Sequence, residues 1–216
     1  MPFNTTSCAL LYHTMRHAKP DSSVFQPCYY PLQVSDAFLV WLIEAKQRHP
    51  QIRTEILEEL LELNLETRRP QTNRFYQALG LNPPTLVVDS HSRNGCVSAD
   101  LNEDLRSQGL THPPFDLIIN NGTTEHIFDQ RMVFSNLHNL CKTGGIMYHK
   151  TPIYNVMNIS LYGNQPRFFH DIAIANDYQI LGIYIANRWG DHVPVDLGPG
   201  TIEPKELFQP LLPSRV

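Results

Sequence analysis

At 216 residues, with 42% hydrophobic and 18% charged side chains, the chain is long enough for one well-buried core and too ordinary in composition for a disordered protein. A net charge of −4, with no basic run denser than Arg68-Arg69, gives no general attraction to nucleic acid or to an anionic membrane. No apolar stretch approaches the ~20 residues that span a bilayer, the amino terminus lacks a charged-then-apolar leader pattern, and the four cysteines lack CxxC spacing, so reduced thiols in a cytoplasmic setting are expected and a zinc finger is not.

In chain order, residues 1–33 are punctuated by Pro2, Pro20, Pro27 and Pro31, and only Ala9-Leu10-Leu11-Tyr12 suggests an element, a short strand over Cys8 to His13. Ser35-Asp36 then caps a helix through Phe38, Leu39, Trp41, Leu42 and Ile43, which Pro50 ends. The spacing of Ile52, Ile56, Leu57, Leu60, Leu61 and Leu63 predicts a second helix to about Leu65, with Glu58, Glu59 and Glu62 on its solvated face. A third, Asn73 to Leu79, stops at Gly80. Residues 1–80 thus read as an amino-terminal extension and helical cap, and 81–216 as an α/β core, within one compact domain overall. Tyr29, Tyr30 and Trp41 are aromatic candidates for a pocket lining or for the core.

The α/β pattern starts with Thr85 to Val88, a β-branched run that ends at Asp89, and a short strand is expected over Cys96 to Ala99. Asp100 or Asn102 can cap the turn containing Asp104-Leu105. The strongest signal runs from Pro113 to Pro152. Phe115, Leu117, Ile118 and Ile119 form a buried strand that halts at Asn120-Asn121-Gly122. Phe128, Val133, Phe134, Leu137, Leu140 and Cys141 then share a helical face, and Thr143-Gly144-Gly145 leads into a strand from Ile146 to His149. Two strands joined by a crossover helix require a parallel sheet and place the intervening loop at the strands' carboxyl ends, where open α/β sheets bind ligands. Pro166 opens a further helix to Ala175, and Tyr178 to Ala186 reads as a last strand before a proline-rich tail.

That loop carries the chemistry. Glu125 and His126 follow one strand, and His149 ends its neighbour about 5 Å away if the two pair. A carboxylate with two imidazoles near neutral pH suits a general base and its orienting partner. The same set could hold a divalent metal, although adjacent residues seldom face one ion, and no metal site is assigned. The plainer alternative is that His126 caps the following helix region and His149 is a satisfied core histidine.

The segment Phe115-Asp116-Leu117-Ile118-Ile119-Asn120-Asn121-Gly122-Thr123-Thr124-Glu125-His126, followed by Leu137-His138-Asn139-Leu140 and Lys142-Thr143-Gly144-Gly145, resembles the later half of class I S-adenosylmethionine-dependent methyltransferases. It is similar in particular to a bacterial branch with an NGTxEH loop, a histidine in the strand after the paired glycines, and a tyrosine, proline and two phenylalanines leading into the next helix, matched here by Tyr162, Pro166, Phe168 and Phe169, with Asn176 and Tyr178 beyond. The resemblance covers roughly Leu79 to Ala186. It implies a three-layer Rossmann-like sandwich with a mainly parallel sheet and an amino-terminal helical cap. It also implies S-adenosylmethionine as cofactor, with Asp89 on the ribose hydroxyls, Asp100 on the adenine amino group, Leu101 against the ring, and Asn121 and Gly122 beside the cofactor; Glu125, His126 and His149 would stand near the transferred methyl.

Two departures bear on that expectation. The family's first strand leads into a glycine-rich turn that lets backbone approach the methionine part of the cofactor, but the first glycine here is Gly80; Asn158-Ile159-Ser160 stands where the branch has Asn-His-Gly. The sequence therefore points to a divergent methyltransferase-like enzyme acting on a small molecule. The alternatives are an inactive binding or assembly module on the same fold, or a cofactor-independent or metal-assisted enzyme. Neither nucleic acid nor membrane is an expected partner, and a homodimer is a candidate assembly.

Overall fold

The computed structural model describes residues 3–90, 95–154, 160–186 and 192–195. A two-residue strand, β1 (Phe3–Asn4), turns directly into α1 (Thr5–Met15). Asn4 makes the turn: its side-chain oxygen accepts the Ser7 N–H at 3.0 Å, one of the first-turn donors with no partner inside a helix. The expected strand over Cys8 to His13 is therefore helical. Cys8, Leu11, Tyr12 and Met15, all buried, recur at i, i+3, i+4 and i+7, a period that a six-residue window does not contain.

The strand that opens the α/β sheet is β2 (Val24–Gln26), fully buried and inside the proline-punctuated stretch. After it, β3 (Leu32–Gln33) pairs in parallel with β1 as a separate two-stranded piece. Four helices follow. α2 (Asp36–Glu44) has Ser35 as its cap, the hydroxyl accepting the Phe38 N–H at 3.3 Å, and a 3-10 turn over 45–47 extends it. α3 (Thr54–Glu62), α4 (Leu65–Arg68) and α5 (Thr72–Ala78) complete the set. Beyond them come β4 (Leu86–Asp89), β5 (Val97–Ser98), β6 (Phe115–Asn121), α6 (Gln130–Leu140), β7 (Cys141–Lys150) and α7 (Pro166–Ala175). The last expected strand shortens to β8 (Tyr184–Ala186), which pairs antiparallel with β9 (His192–Pro194) outside the main sheet.

The main sheet is five-stranded and parallel throughout, in the order β5-β4-β2-β6-β7. The chain moves outward from β2 through β4 to β5, then returns to the other side of β2 with β6 and β7. This is a Rossmann-like α/β arrangement, with its switch point between the carboxyl ends of β2 and β6. Its central strand comes from the segment that the sequence assigns to a cap, so both halves of the chain build the core. Alternation divides the sheet into two buried faces. Val24, Leu117, Ile119 and Tyr148 pack with α1, α2, α3 and α5, while Phe25, Val88, Ile118, Val133 and Leu137 form the core on the α6 side.

Candidate functional site

The carboxyl rim of β6 is set by one side chain. Asn120 is 0% exposed; its oxygen accepts the N–H groups of Thr123 and Thr124, each at 3.3 Å, and its amide nitrogen donates to Thr124 Oγ1 at 2.8 Å and to His149 Nδ1 at 3.2 Å. Gly122, with φ of 79°, lets the chain fold over this amide, and Thr124–His126 follows as a 3-10 turn. Because two backbone donors fix which end of the Asn120 amide is oxygen, Nδ1 of His149 must be an acceptor. Its proton sits on Nε2 and the ring is neutral. Burial reinforces that state, pushing the His149 pKa down to about 4. The ring stacks on Phe169 at 5.3 Å and tilts against Phe134 at 5.7 Å, which places it on the α6 and α7 side of the sheet.

Glu125 belongs to the other side. Its side chain is 0% exposed, neither carboxylate oxygen has a hydrogen-bond partner, and burial pushes its pKa up to about 7. Its field reaches Tyr30 and Lys150, both directed toward the α1 face: Lys150 pairs with Asn121 two residues beyond the Tyr148 position. Burial lowers the Lys150 pKa, which Glu125 partly offsets. The Glu125 backbone oxygen accepts the N–H groups of Leu161 and Tyr162 at 3.0 and 3.1 Å, so the segment after β7 crosses over the loop. His126 lies beside Glu125, Nε2 to Oε1 3.9 Å, and its 40% exposed imidazole has its pKa lowered by partial burial. The structure thus brings Glu125 and His126 together and gives His149 separate surroundings. Ile159 lies outside the described residues.

Asp89 ends β4 next to the central strand. Its carboxylate accepts a weak bond from Cys28 Sγ at 3.5 Å, and burial followed by the Asp89 charge pushes the Cys28 pKa up to about 11. Alternation puts Asp89 on the same face as Thr85 and Val87, which line a cleft of about 200 Å³ with Gln26, Tyr29, Thr72 and Asn73. Asp100 and Leu101 serve different ends. Asp100 is exposed and closes an Asx turn, its Oδ1 accepting both the backbone and side-chain N–H of Asn102 at 2.8 Å, bonds that lower its pKa. Leu101 is 5% exposed and packs into the second core with Leu105. Among the described residues no three histidine, cysteine or acidic side chains gather in a way that would hold a metal ion.

The residue that sequence reasoning underrated is Tyr30. It is 0% exposed and reaches from the turn after β2 to the end of β6, where its hydroxyl accepts the Asn121 N–H at 2.9 Å and hydrogen-bonds Thr123 Oγ1 at 2.6 Å. The available signal was its position, an aromatic pair just past the sheet's first strand, where the resembling family has glycines. An S-adenosyl cofactor is what the resemblance implies for this rim. Such a cofactor would meet the Asp89 carboxylate at the end of β4 and the buried Tyr30 ring between the carboxyl ends of β2 and β6. Compared with known proteins, the chain matches no family model, no curated protein and no solved structure.

Proposed function

We propose that this chain is a methyltransferase-like enzyme acting on a small molecule in a cytoplasmic setting. The observation that carries this reading is the strand order, which sets Asp89 at the end of the strand beside β2 and opens the loop bearing Glu125 and His126 across the switch point at the same rim. Scaffold alone does not choose chemistry; the groups do. Glu125, with a pKa near 7, exchanges a proton at neutral pH, and the adjacent imidazole provides a route between that carboxyl and solvent. S-adenosylmethionine, when bound, would supply an electrophilic methyl group, with Asp89 holding its ribose. Isothermal titration with S-adenosylhomocysteine tests the reading: saturable heat that Asp89→Ala abolishes is expected, and no heat at millimolar ligand refutes it.

A second reading is favoured by the turn after β2, which lacks glycine and carries Tyr30: the fold persists as a small-molecule binding or assembly module without cofactor chemistry. Glu125→Gln and His126→Ala then leave its biological role intact with the fold unchanged, whereas loss of a measured turnover in either folded variant excludes it.

A further inference from the structure

An open parallel sheet of this order takes ligands between the carboxyl ends of the strands that flank its switch point. In this chain one of its own side chains lies there. Tyr30 leaves the loop after β2 and ends against β6, and its attachment is firm at both ends: its carbonyl accepts the Thr72 hydroxyl at 2.7 Å, while its own hydroxyl meets Asn121 and Thr123. Burial alone would be served equally well by phenylalanine. The hydroxyl adds something specific. The Asn121 N–H is the last backbone donor of β6, and the Thr123 hydroxyl stands just beyond it; these are the groups that a strand offers to a ligand at this rim, and the phenol oxygen engages both. Glu125, within electrostatic reach of the same ring, is left buried with neither carboxylate oxygen paired. Tyr30 thus engages the Asn121 N–H and the Thr123 hydroxyl, while the Glu125 carboxylate has its own backbone N–H and the Lys150 charge to favour it.

We propose that Tyr30 is an internal plug: its phenol occupies the crevice between β2 and β6 in place of a ligand, so that a ligand enters there only when Tyr30 has swung out. The placement of Tyr30 stands on its burial and its hydrogen bonds at the end of β6; the identity of the ligand, an S-adenosyl compound, rests on the methyltransferase reading. A plug of this kind weakens the apparent affinity by the fraction of molecules in which it is open, and removing the plug restores it.

The test compares wild type, Tyr30→Ala and Tyr30→Phe with two probes. p-Cresol has the shape of the deleted side chain, and it is expected to raise the Tm of Tyr30→Ala saturably while leaving wild type unchanged. S-adenosylhomocysteine is expected to bind Tyr30→Ala at least tenfold more tightly than wild type, and Tyr30→Phe, which keeps the ring without its two hydroxyl links, at least threefold more tightly. Uptake of p-cresol by Tyr30→Ala with no S-adenosylhomocysteine binding by any variant upholds the plug and removes the methyltransferase reading. A folded Tyr30→Ala that ignores p-cresol, or one that binds S-adenosylhomocysteine measurably but no more tightly than wild type, overturns the plug. Should Tyr30→Ala not fold even with p-cresol present, Tyr30→Phe decides, and wild-type affinity in that variant is the overturning result.

Discussion

Replacing Arg68 by alanine should cost this protein more stability than any single surface change. The guanidinium is almost fully buried, the residue 1% exposed, and all three of its nitrogens are engaged. Nε donates to the Leu60 carbonyl at 2.7 Å, one terminal nitrogen to Val34 at 3.0 Å and to Asp36 Oδ1 at 2.6 Å, and the other to Leu61 at 3.2 Å and Leu63 at 2.7 Å. Leu60 and Leu61 are in the last turn of α3 and Leu63 follows it, so the side chain caps the carboxyl end of the helix, where the Leu60 carbonyl also accepts the Leu63 N–H at 3.4 Å. Truncation removes the Arg68 donor from four carbonyls at about 1 kcal/mol each, consistent with the ~3–5 kcal/mol for breaking a buried charged network. In a chain of this size, ~2–4 °C of Tm accompanies each kcal/mol, so a fall of about 8–16 °C is expected. Asp36 is the control. Its side chain is 71% exposed, and Asp36→Ala should cost under ~1 kcal/mol, because a solvated ion pair contributes little. Urea denaturation followed by far-UV circular dichroism measures both. A loss below ~1 kcal/mol for Arg68→Ala, or an equal loss for Asp36→Ala, refutes the capping argument.

The pH dependence of stability should carry two opposed contributions. With its folded pKa raised to about 7 from 4.5, Glu125 binds its proton more tightly in the folded state, and stability falls as pH rises through that interval. His149, depressed to about 4 from 6.5, makes stability fall as pH drops through its own, so between 4.5 and 6.5 the two slopes offset each other. Denaturation titrations should show a stability that rises with pH across that window in Glu125→Gln and falls in His149→Phe; wild-type slopes in both variants exclude the assignment. Iodoacetamide at pH 8.5 should label Cys28 slowly, and Asp89→Asn should speed labelling several-fold by removing the neighbouring charge, as read by mass spectrometry of the Cys28 peptide; an unchanged rate shows that burial acts alone. Gly80 has φ of 76°, and a Cβ there would lie 2.8 Å from the Gln51 carbonyl oxygen, so Gly80→Ala should cost more than ~1 kcal/mol in the same denaturation assay.

What the sequence reveals depends on how much of each element's state is local. The helices α2, α3, α5, α6 and α7 carry their own apolar spacing, with side-chain caps on α2 and α6 and a first-turn proline on α7, and β4 and β6 carry β-branched or continuous apolar runs, so each is legible in isolation. β2 is not. Three residues hold no period, and Val24–Gln26 is extended because β4 and β6 pair with it on both sides. The same limit hid Tyr30, whose importance depends on where β6 ends relative to β2, a relation between segments about ninety residues apart. Glu125 and His126 were legible as rim residues because they follow a strand. Grouping His149 with them used proximity along the strands and ignored the pleat: Tyr148 and His149 point to opposite faces, and register sets His149 opposite Asn120.

The two ends of β6 show where this molecule leaves stability unrealised. At its amino end, Asp116 accepts from Ser23 N and Oγ at 2.9 and 2.7 Å and from Lys142 Nζ at 2.8 Å, bonds that hold its carboxyl well below the usual range. Past its carboxyl end, Glu125 is buried with no such bond. One strand thus begins beside a fully engaged carboxylate and ends beside an unengaged one, and the unengaged one lies at the rim where a sheet of this order receives ligands. Ionising this buried carboxyl is costly at neutral pH even with Lys150 nearby, whereas an amide of the same shape would avoid the charge. If the carboxyl serves function, Glu125→Gln should raise stability at pH 8 while removing the ligand response gained in Tyr30→Ala, since ligand and proton share one crevice. A double variant, Tyr30→Ala with Glu125→Gln, that is more stable than Tyr30→Ala and takes S-adenosylhomocysteine equally well would show that the ligand gains nothing from this carboxyl, and would leave Glu125 with no part in binding.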